Sequence, residues 1–296
     1  MTTLTLNSSV SRFDALIPPE MAAKAEEVGV EKACLGWRNT IALGVLAGAF
    51  ISMGAIFATT VTSDTSRELA FGVYRVLGGI SFCLGLILVI VAGAELFTGN
   101  ILIVMAWANR RVSTTQVFRN WGLVYIGNFI GSIATVVLMF FTRQYAYGNC
   151  AIGINILTTA NAKCTLGFIQ AVALGIGCNA LVCLAVWLCY SARTTTDKIL
   201  SIIFPITAFV AIGFEHCVAN MYFIPMGLFV KAWSSSAFWE LIEKTTGDFA
   251  DLTWINFIFV NLLPVTLGNM IGGSVMVGMV YWFIYLRKGY GLPPKN

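Results

Sequence analysis

Charge is what this sequence has least of. Only 11% of its 296 residues are charged against 58% hydrophobic, and the mean hydropathy is +0.82, which excludes an ordinary soluble domain with its polar shell. Histidine occurs once, at His216, and none of the eight cysteines falls in a metal-spaced cluster, so no metal or other cofactor is expected. The segment ahead of Ile41 is acidic-rich and holds no apolar core region, which argues against a cleavable signal peptide and leaves the first span to direct insertion. No Gly-x-Ser-Gly sequence occurs, so the His216-x-x-x-Asn220 pattern of an intramembrane protease has no nucleophile beside it and no enzyme is expected. Paired Asn-Pro-Ala sequences, the mark of a water or glycerol pore, are missing too.

What is present is long uncharged runs. Ile41 to Val61, Gly122 to Phe141, Leu166 to Ser191 and Leu262 to Leu286 carry no charge, and each matches the about 20 residues that cross a bilayer. Two runs are too long: Val76 to Ala108, with Glu95 inside, and Ile199 to Val230, with Glu215 and His216 inside. A straight helix of that length reaches roughly 48 Å against a hydrocarbon core of about 30 Å. Both are expected to bend or break at the polar interruption, where non-helical backbone is tolerated only inside protein or along a cavity. The expected fold is all-α and polytopic, with six spans. The channel domain covers 37–286, an N-terminal segment 1–36 carries a short helix, and 287–296 forms a tail.

Basic residues orient the chain. With the N-terminus inside, Arg12, Lys24, Lys32, Arg38, Arg110, Arg111, Arg119, Arg193, Lys198, Arg287, Lys288 and Lys295 are cytoplasmic, and Arg67, Arg75, Arg143, Lys163, Lys231 and Lys244 are outside. That split, 12 to 6, places both termini in the cytoplasm. The net charge of +4 reflects the same bias and points to no nucleic-acid partner. Pro18 and Pro19 start a helix over Glu20 to Val28 that Gly29 stops, with a Glu20/Lys24 pair on its face. It is read either as a solvated cap or as a movable plug. Cys150 and Cys164 fall in a loop placed outside, where oxidation to a disulfide is chemically possible.

The second half echoes the first. Ile41-Ala-Leu-Gly44 matches Val172-Ala-Leu-Gly175, Gly93-Ala-Glu95 with Asn100 matches Gly213-Phe-Glu215 with Asn220, and Asn120 with Gly127-Asn128 matches Asn261 with Gly268-Asn269. Three matches in one order imply duplication. A unit of three spans must re-enter from the opposite side, so repeats 37–142 and 165–286 are expected to be inverted, with spans two and five broken and the substrate path between them. At the breaks, Glu95 and Glu215 are expected to accept hydrogen bonds from freed backbone N–H groups and Asn100 and Asn220 to cap the second half-helices. The half-helix N-termini favour an anion at the midplane. His216, an ionisable group at membrane depth, is a functional candidate by default. Thr98 in the opposite break offers it, or an anion, a hydroxyl.

Gly93-Ala-Glu-Leu-Phe-Thr98, Gly213-Phe-Glu-His-Cys-Val-Ala-Asn-Met221 and Gly268-Asn-Met-Ile-Gly-Gly273 resemble the signatures of the formate/nitrite transporter family. Phe13 to Pro18, Ala25 to Gly29 and Asn155 to Ala160 extend the resemblance to its formate channels over nearly the whole chain. The resemblance implies a homopentamer of aquaporin-like protomers in the bacterial inner membrane, each with its own pore for formate and related small monovalent anions. It implies Thr98 and His216 as the central site, Lys163 as an outer-vestibule cation and Asn179 and Asn269 as pore-lining amides. Phe82, Val182 and Phe209 would form one constriction, Leu86 and Leu96 the other. Gly99 after the threonine is shared with nitrite-side members, so a nitrite- or hydrosulfide-selective channel is the alternative. Near pH 7 only about one formate in a thousand is neutral, and an apolar constriction opposes a bare charge, so His216 is expected to lend a proton at the midplane. The rival has the anion cross bare.

Overall fold

The computed structural model describes residues 14–63 and 70–287. The expected 287–296 tail, apart from Arg287, lies outside them, as does everything ahead of Asp14. Of the basic residues that orient the chain, Arg12, Arg67, Lys288 and Lys295 therefore also lie outside the described residues. The described chain is helical. Helix α1 is Pro18–Cys34, α2 Trp37–Val61, α3 Phe71–Gly93, α4 Phe97–Ala108, α5 Thr114–Phe141, α6 Ala151–Lys163, α7 Phe168–Ser191, α8 Thr195–Ile212, α9 Cys217–Trp233, α10 Ser236–Leu241, and α11 runs over 254–286. Helices α2, α3, α5, α7 and α8 and the stretch Thr246–Leu286 are long and apolar enough to cross a membrane, six in all among the described residues. Helices α4 and α9 are apolar but shorter.

Helix starts follow local chemistry. Ser113 and Gln116 cap each other's backbone at α5, and Thr194 and Asp197 do so at α8. The two long apolar runs each divide. Helix α3 stops at Gly93 with φ +84°, residues 94–96 leave the helix, and α4 restarts at Phe97; α8 stops at Gly213 with φ +91° and α9 restarts at Cys217. Only glycine takes that left-handed conformation without Cβ strain.

Helix α2 packs on α5 and α3, α7 on α11 and α8, and α3 on α8. Lipid supplies no hydrophobic drive between helices, so close approach must come from small residues. A Cβ on Gly127 would lie 2.9 Å from the Gly44 Cα, and one on Gly268 would lie 3.0 Å from the Gly175 Cα. The two crossings, α2 on α5 and α7 on α11, are thus built alike.

Helix α1 extends past its expected stop. Gly29 does not end it, because the missing side chain there lets α1 lie on α4, where a Cβ would stand 3.2 Å from that of Ala106. Met21, Ala22, Ala25 and Ala33 are buried, and Glu26 accepts a hydrogen bond from Asn109 Nδ2 at 2.9 Å. The helix is docked rather than solvated. Cys150 and Cys164 are free, buried thiols. They stand at opposite ends of α6, whose 13 residues span roughly 20 Å, far beyond the about 7 Å between Cα atoms that a disulfide bridges.

Candidate functional site

Each interruption between half-helices frees backbone groups with no water to satisfy them. One asparagine does most of that work on each side. Asn128 Oδ1 accepts from the Phe97 N–H at 2.9 Å while its Nδ2 donates to the Gly44 and Glu95 carbonyls at 2.8 and 2.9 Å. Asn269 Oδ1 accepts from the Cys217 N–H at 2.9 Å while its Nδ2 donates to the Gly175 and Glu215 carbonyls at 2.8 and 2.9 Å. An amide suits the task because it is donor and acceptor at once. Asn269 is therefore fully engaged as a tether, not free as a pore-lining amide.

The carboxylates take other partners than expected. Glu95 accepts from Lys32 Nζ at 2.6 Å and from Asn100 Nδ2 at 2.6 Å; Glu215 accepts from Lys163 Nζ at 2.6 Å and from Asn220 Nδ2 at 2.6 Å. No backbone N–H is among the partners described for either, since a buried negative charge is better matched by a cation and amide donors. Asn100 and Asn220 bridge onward to Asn120 Oδ1 and Asn261 Oδ1 instead of capping. Those two asparagines in turn donate to the Lys32 and Lys163 carbonyls, each at 3.0 Å. Lys163 lines the larger cavity and is ion-paired there with Glu215. Lys32, which sequence reasoning passed over, is its counterpart. The signal was present: the interval from Lys32 to Lys163 equals that from Gly44 to Gly175.

His216 caps α9 with its side chain, whereas α4 has no side-chain cap. Its Nδ1 accepts from the Ala219 N–H at 3.0 Å, and its Nε2 lies 2.9 Å from Thr98 Oγ1. With Nδ1 committed as acceptor, the neutral ring carries its proton on Nε2 and donates it to Thr98. The pair is 118 residues apart in sequence and joins the N-termini of α4 and α9. Both side chains are buried. Asn179 reaches the same centre, its Nδ2 donating to the Thr98 carbonyl at 3.2 Å and the Asn269 carbonyl at 2.7 Å, while its buried Oδ1 has no partner among the described residues.

Two cavities approach this centre. One, of about 680 Å³, is lined by Phe82, Lys163, Phe209, Glu215, His216 and Asn220 among others. The other, of about 370 Å³, is lined by Lys32, Leu86, Glu95, Leu96, Gly99 and Asn100 among others. Phe82 and Phe209 meet edge to face, centroids 5.6 Å apart, and the Phe209 ring stacks on His216 at 6.0 Å. The structure therefore brings Phe82 and Phe209 to one cavity and Leu86 and Leu96 to the other. Val182, Thr98, Asn179 and Asn269 line neither. Val182 is buried in the core.

Six apolar spans around two half-buried, equivalent ion-pair networks and a buried histidine–threonine contact define a multi-pass membrane protein. The sequence profile described as formate/nitrite transporter matches residues 19–283, and the chain belongs to that family. It is 46% identical over 276 residues to the formate channel FocA of Escherichia coli strain K12, covering 93% of this chain and 96% of that one. It is 42% identical over 265 residues to the formate channel FocA of Haemophilus influenzae, covering 90% and 93%. Among solved structures it is similar to a pentameric formate channel with formate bound, with a TM-score of 0.79 and 42% identity, covering 85% of this chain and 98% of that one.

Proposed function

We propose that this protein is a channel for formate and related small monovalent anions in the bacterial inner membrane, multi-pass with both termini cytoplasmic and assembled as a homopentamer. The observation that carries the reading is the Thr98–His216 contact, which stands between two cavities at the junction of two half-helices. The equivalence of the Asn128 and Asn269 tethers, bond for bond, supports inverted repeats 37–142 and 165–286 within an aquaporin-like channel domain 37–286. Phe82, Phe209 and Val182 act as the constriction on one side of the centre and Leu86 and Leu96 as that on the other. Names of the relatives supply the substrate class, since those cited are formate channels.

At the centre, a carboxylate meets the Thr98 hydroxyl and the His216 ring. The anion is the species that arrives, and burial in the constrictions opposes its bare charge. The neutral acid would cross that apolar stretch at far lower cost. To lend a proton, His216 must hold one on each ring nitrogen, and Nδ1 can do so only after releasing the Ala219 N–H. Proton exchange is thus coupled to a small turn of the ring, which the arriving anion favours by neutralising the imidazolium. The transferred proton crosses with formic acid, and His216 regains one from the side on which the anion entered, so the transfer carries no net charge.

His216→Asn tests this. The amide retains a hydrogen-bonding group at the centre but does not gain or lose a proton near neutral pH. Formate uptake into proteoliposomes and planar-bilayer current are compared on one preparation. In the wild type, uptake exceeds what current accounts for; in an assembled variant, any remaining uptake is matched by current. Unchanged electroneutral uptake in the variant would show that His216 is not the donor. A nitrite- or hydrosulfide-selective channel of the same fold is the second reading, favoured by Gly99, which follows Thr98 in sequence and lines the smaller cavity. Competition among labelled formate, nitrite and hydrosulfide decides between them.

A further inference from the structure

The two halves match at the tethers and the lysine–glutamate pairs, but one cation has no mirror image. Arg75 on α3 lines the larger cavity. Its Nε donates to the Ala211 carbonyl at 2.9 Å and its Nη2 to the Val210 carbonyl at 2.8 Å, so it lies across the C-terminus of α8. The seat is built for it. A Cβ on Gly213 would come within 2.8 Å of Nη2, whereas one on the equivalent Gly93 would meet nothing within 4 Å. Among the described residues no carboxylate pairs with Arg75, and Nη1 makes no hydrogen bond.

The charge balance of the two cavities differs as a result. Lys163 and Arg75 face Glu215 in the larger one, and Lys32 faces Glu95 in the smaller one. Among the described residues, the first set of walls carries one net positive charge and the second none. Lys163 sits 2.6 Å from Glu215, so its charge is locally cancelled. The guanidinium is held by two neutral carbonyls and by the face of the Phe71 ring, its Cζ 5.9 Å from the centroid, so no carboxylate among the described residues cancels its charge. Arg75 and Phe82 are two helical turns apart on α3 and share a face, their backbones roughly 10 Å apart along the helix, and the guanidinium bonds the carbonyls of Val210 and Ala211, next in sequence to Phe209.

We propose that Arg75 is the anion-capturing residue of this channel: its guanidinium takes a small monovalent carboxylate in the larger cavity before the aromatic constriction, making that mouth the higher-affinity one. A planar fork with an uncommitted edge matches a carboxylate in shape as well as sign. The Lys32 mouth, locally neutral, binds the same anion more weakly. The inference deepens the channel reading and rests on its substrate class.

The test is calorimetric titration of sodium formate into the purified full-length wild type, Arg75→Gln and Arg75→Lys, at low and high ionic strength, with melting of each in formate-free buffer and formate flux in proteoliposomes. Arg75→Gln is expected to bind about threefold to tenfold more weakly at low ionic strength, with the gap closing at high salt, and Arg75→Lys to fall between. Equal affinity in wild type and Arg75→Gln overturns the proposal. So does an affinity loss that is independent of salt, equal in Arg75→Lys and accompanied by a lower melting temperature, which would mark Arg75 as a helix cap only. If binding depends on Arg75 as expected but wild-type liposomes carry no formate, the capture site stands and the channel reading fails.

Discussion

Removing the Asn269 side chain isolates what holds the second interruption together. Asn269→Ala strips the acceptor from the Cys217 N–H and a donor each from the Glu215 and Gly175 carbonyls. The Gly175 carbonyl lies inside α7 and keeps its helical bond, so two groups are left orphaned. All of this is at a fully buried position. Each orphan costs about 1–3 kcal/mol, which gives a loss of roughly 2–6 kcal/mol. At roughly 2–4 °C per kcal/mol for a larger domain, the assembled protein should lose roughly 4–24 °C in melting temperature, followed by size-exclusion chromatography after heating. Asn128→Ala should cost about the same, because its three bonds match those of Asn269 in partner type and in length. Asn269→Asp should not rescue, since a carboxylate can accept from Cys217 but cannot donate to the two carbonyls, and it adds a buried charge. An Asn269→Ala protein that melts like the wild type yet conducts a different set of anions would refute the tether and restore Asn269 as a pore-lining amide.

Two shorter predictions follow from the same geometry. Glu215→Gln keeps an acceptor for Asn220 but frees the Lys163 charge, so half-saturation by formate should fall about twofold or more at low ionic strength; a rise would mean that the carboxylate itself contacts the permeating anion. Cys150 and Cys164 should each be alkylated as free thiols when the protein is denatured under non-reducing conditions, and a linked peptide in mass spectrometry would contradict their placement at opposite ends of α6.

Much of the site was legible because the second half of the sequence echoes the signals of the first. Glu95 and Glu215, Asn100 and Asn220, and Asn128 and Asn269 stand out by recurring at matched intervals in otherwise apolar runs. Their partners were not legible. A carboxylate in an interrupted helix could serve backbone N–H groups or a distant cation, and only the fold brings Lys32 within 2.6 Å of Glu95 across 63 residues. Arg75 was read merely as one basic residue of an outside loop, since nothing in sequence indicates that α3 runs beside the end of α8. Gly29 misled for a related reason: glycine ends helices when φ turns positive, but here it admits a neighbouring helix.

Composition, the length of uncharged runs and the internal echo determined that the chain is helical, crosses the membrane several times and concentrates its polar residues at two equivalent places. Those properties depend on segment hydropathy and on local backbone chemistry, which are read directly from residues in order. The tertiary structure alone decided that Thr98 and His216 share a hydrogen bond, that asparagines rather than glutamates hold the interruptions, and that the two cavities differ by one guanidinium. Such contacts form between helices whose order along the chain does not fix their neighbours, so direction and distance between side chains exist only once the helices have packed.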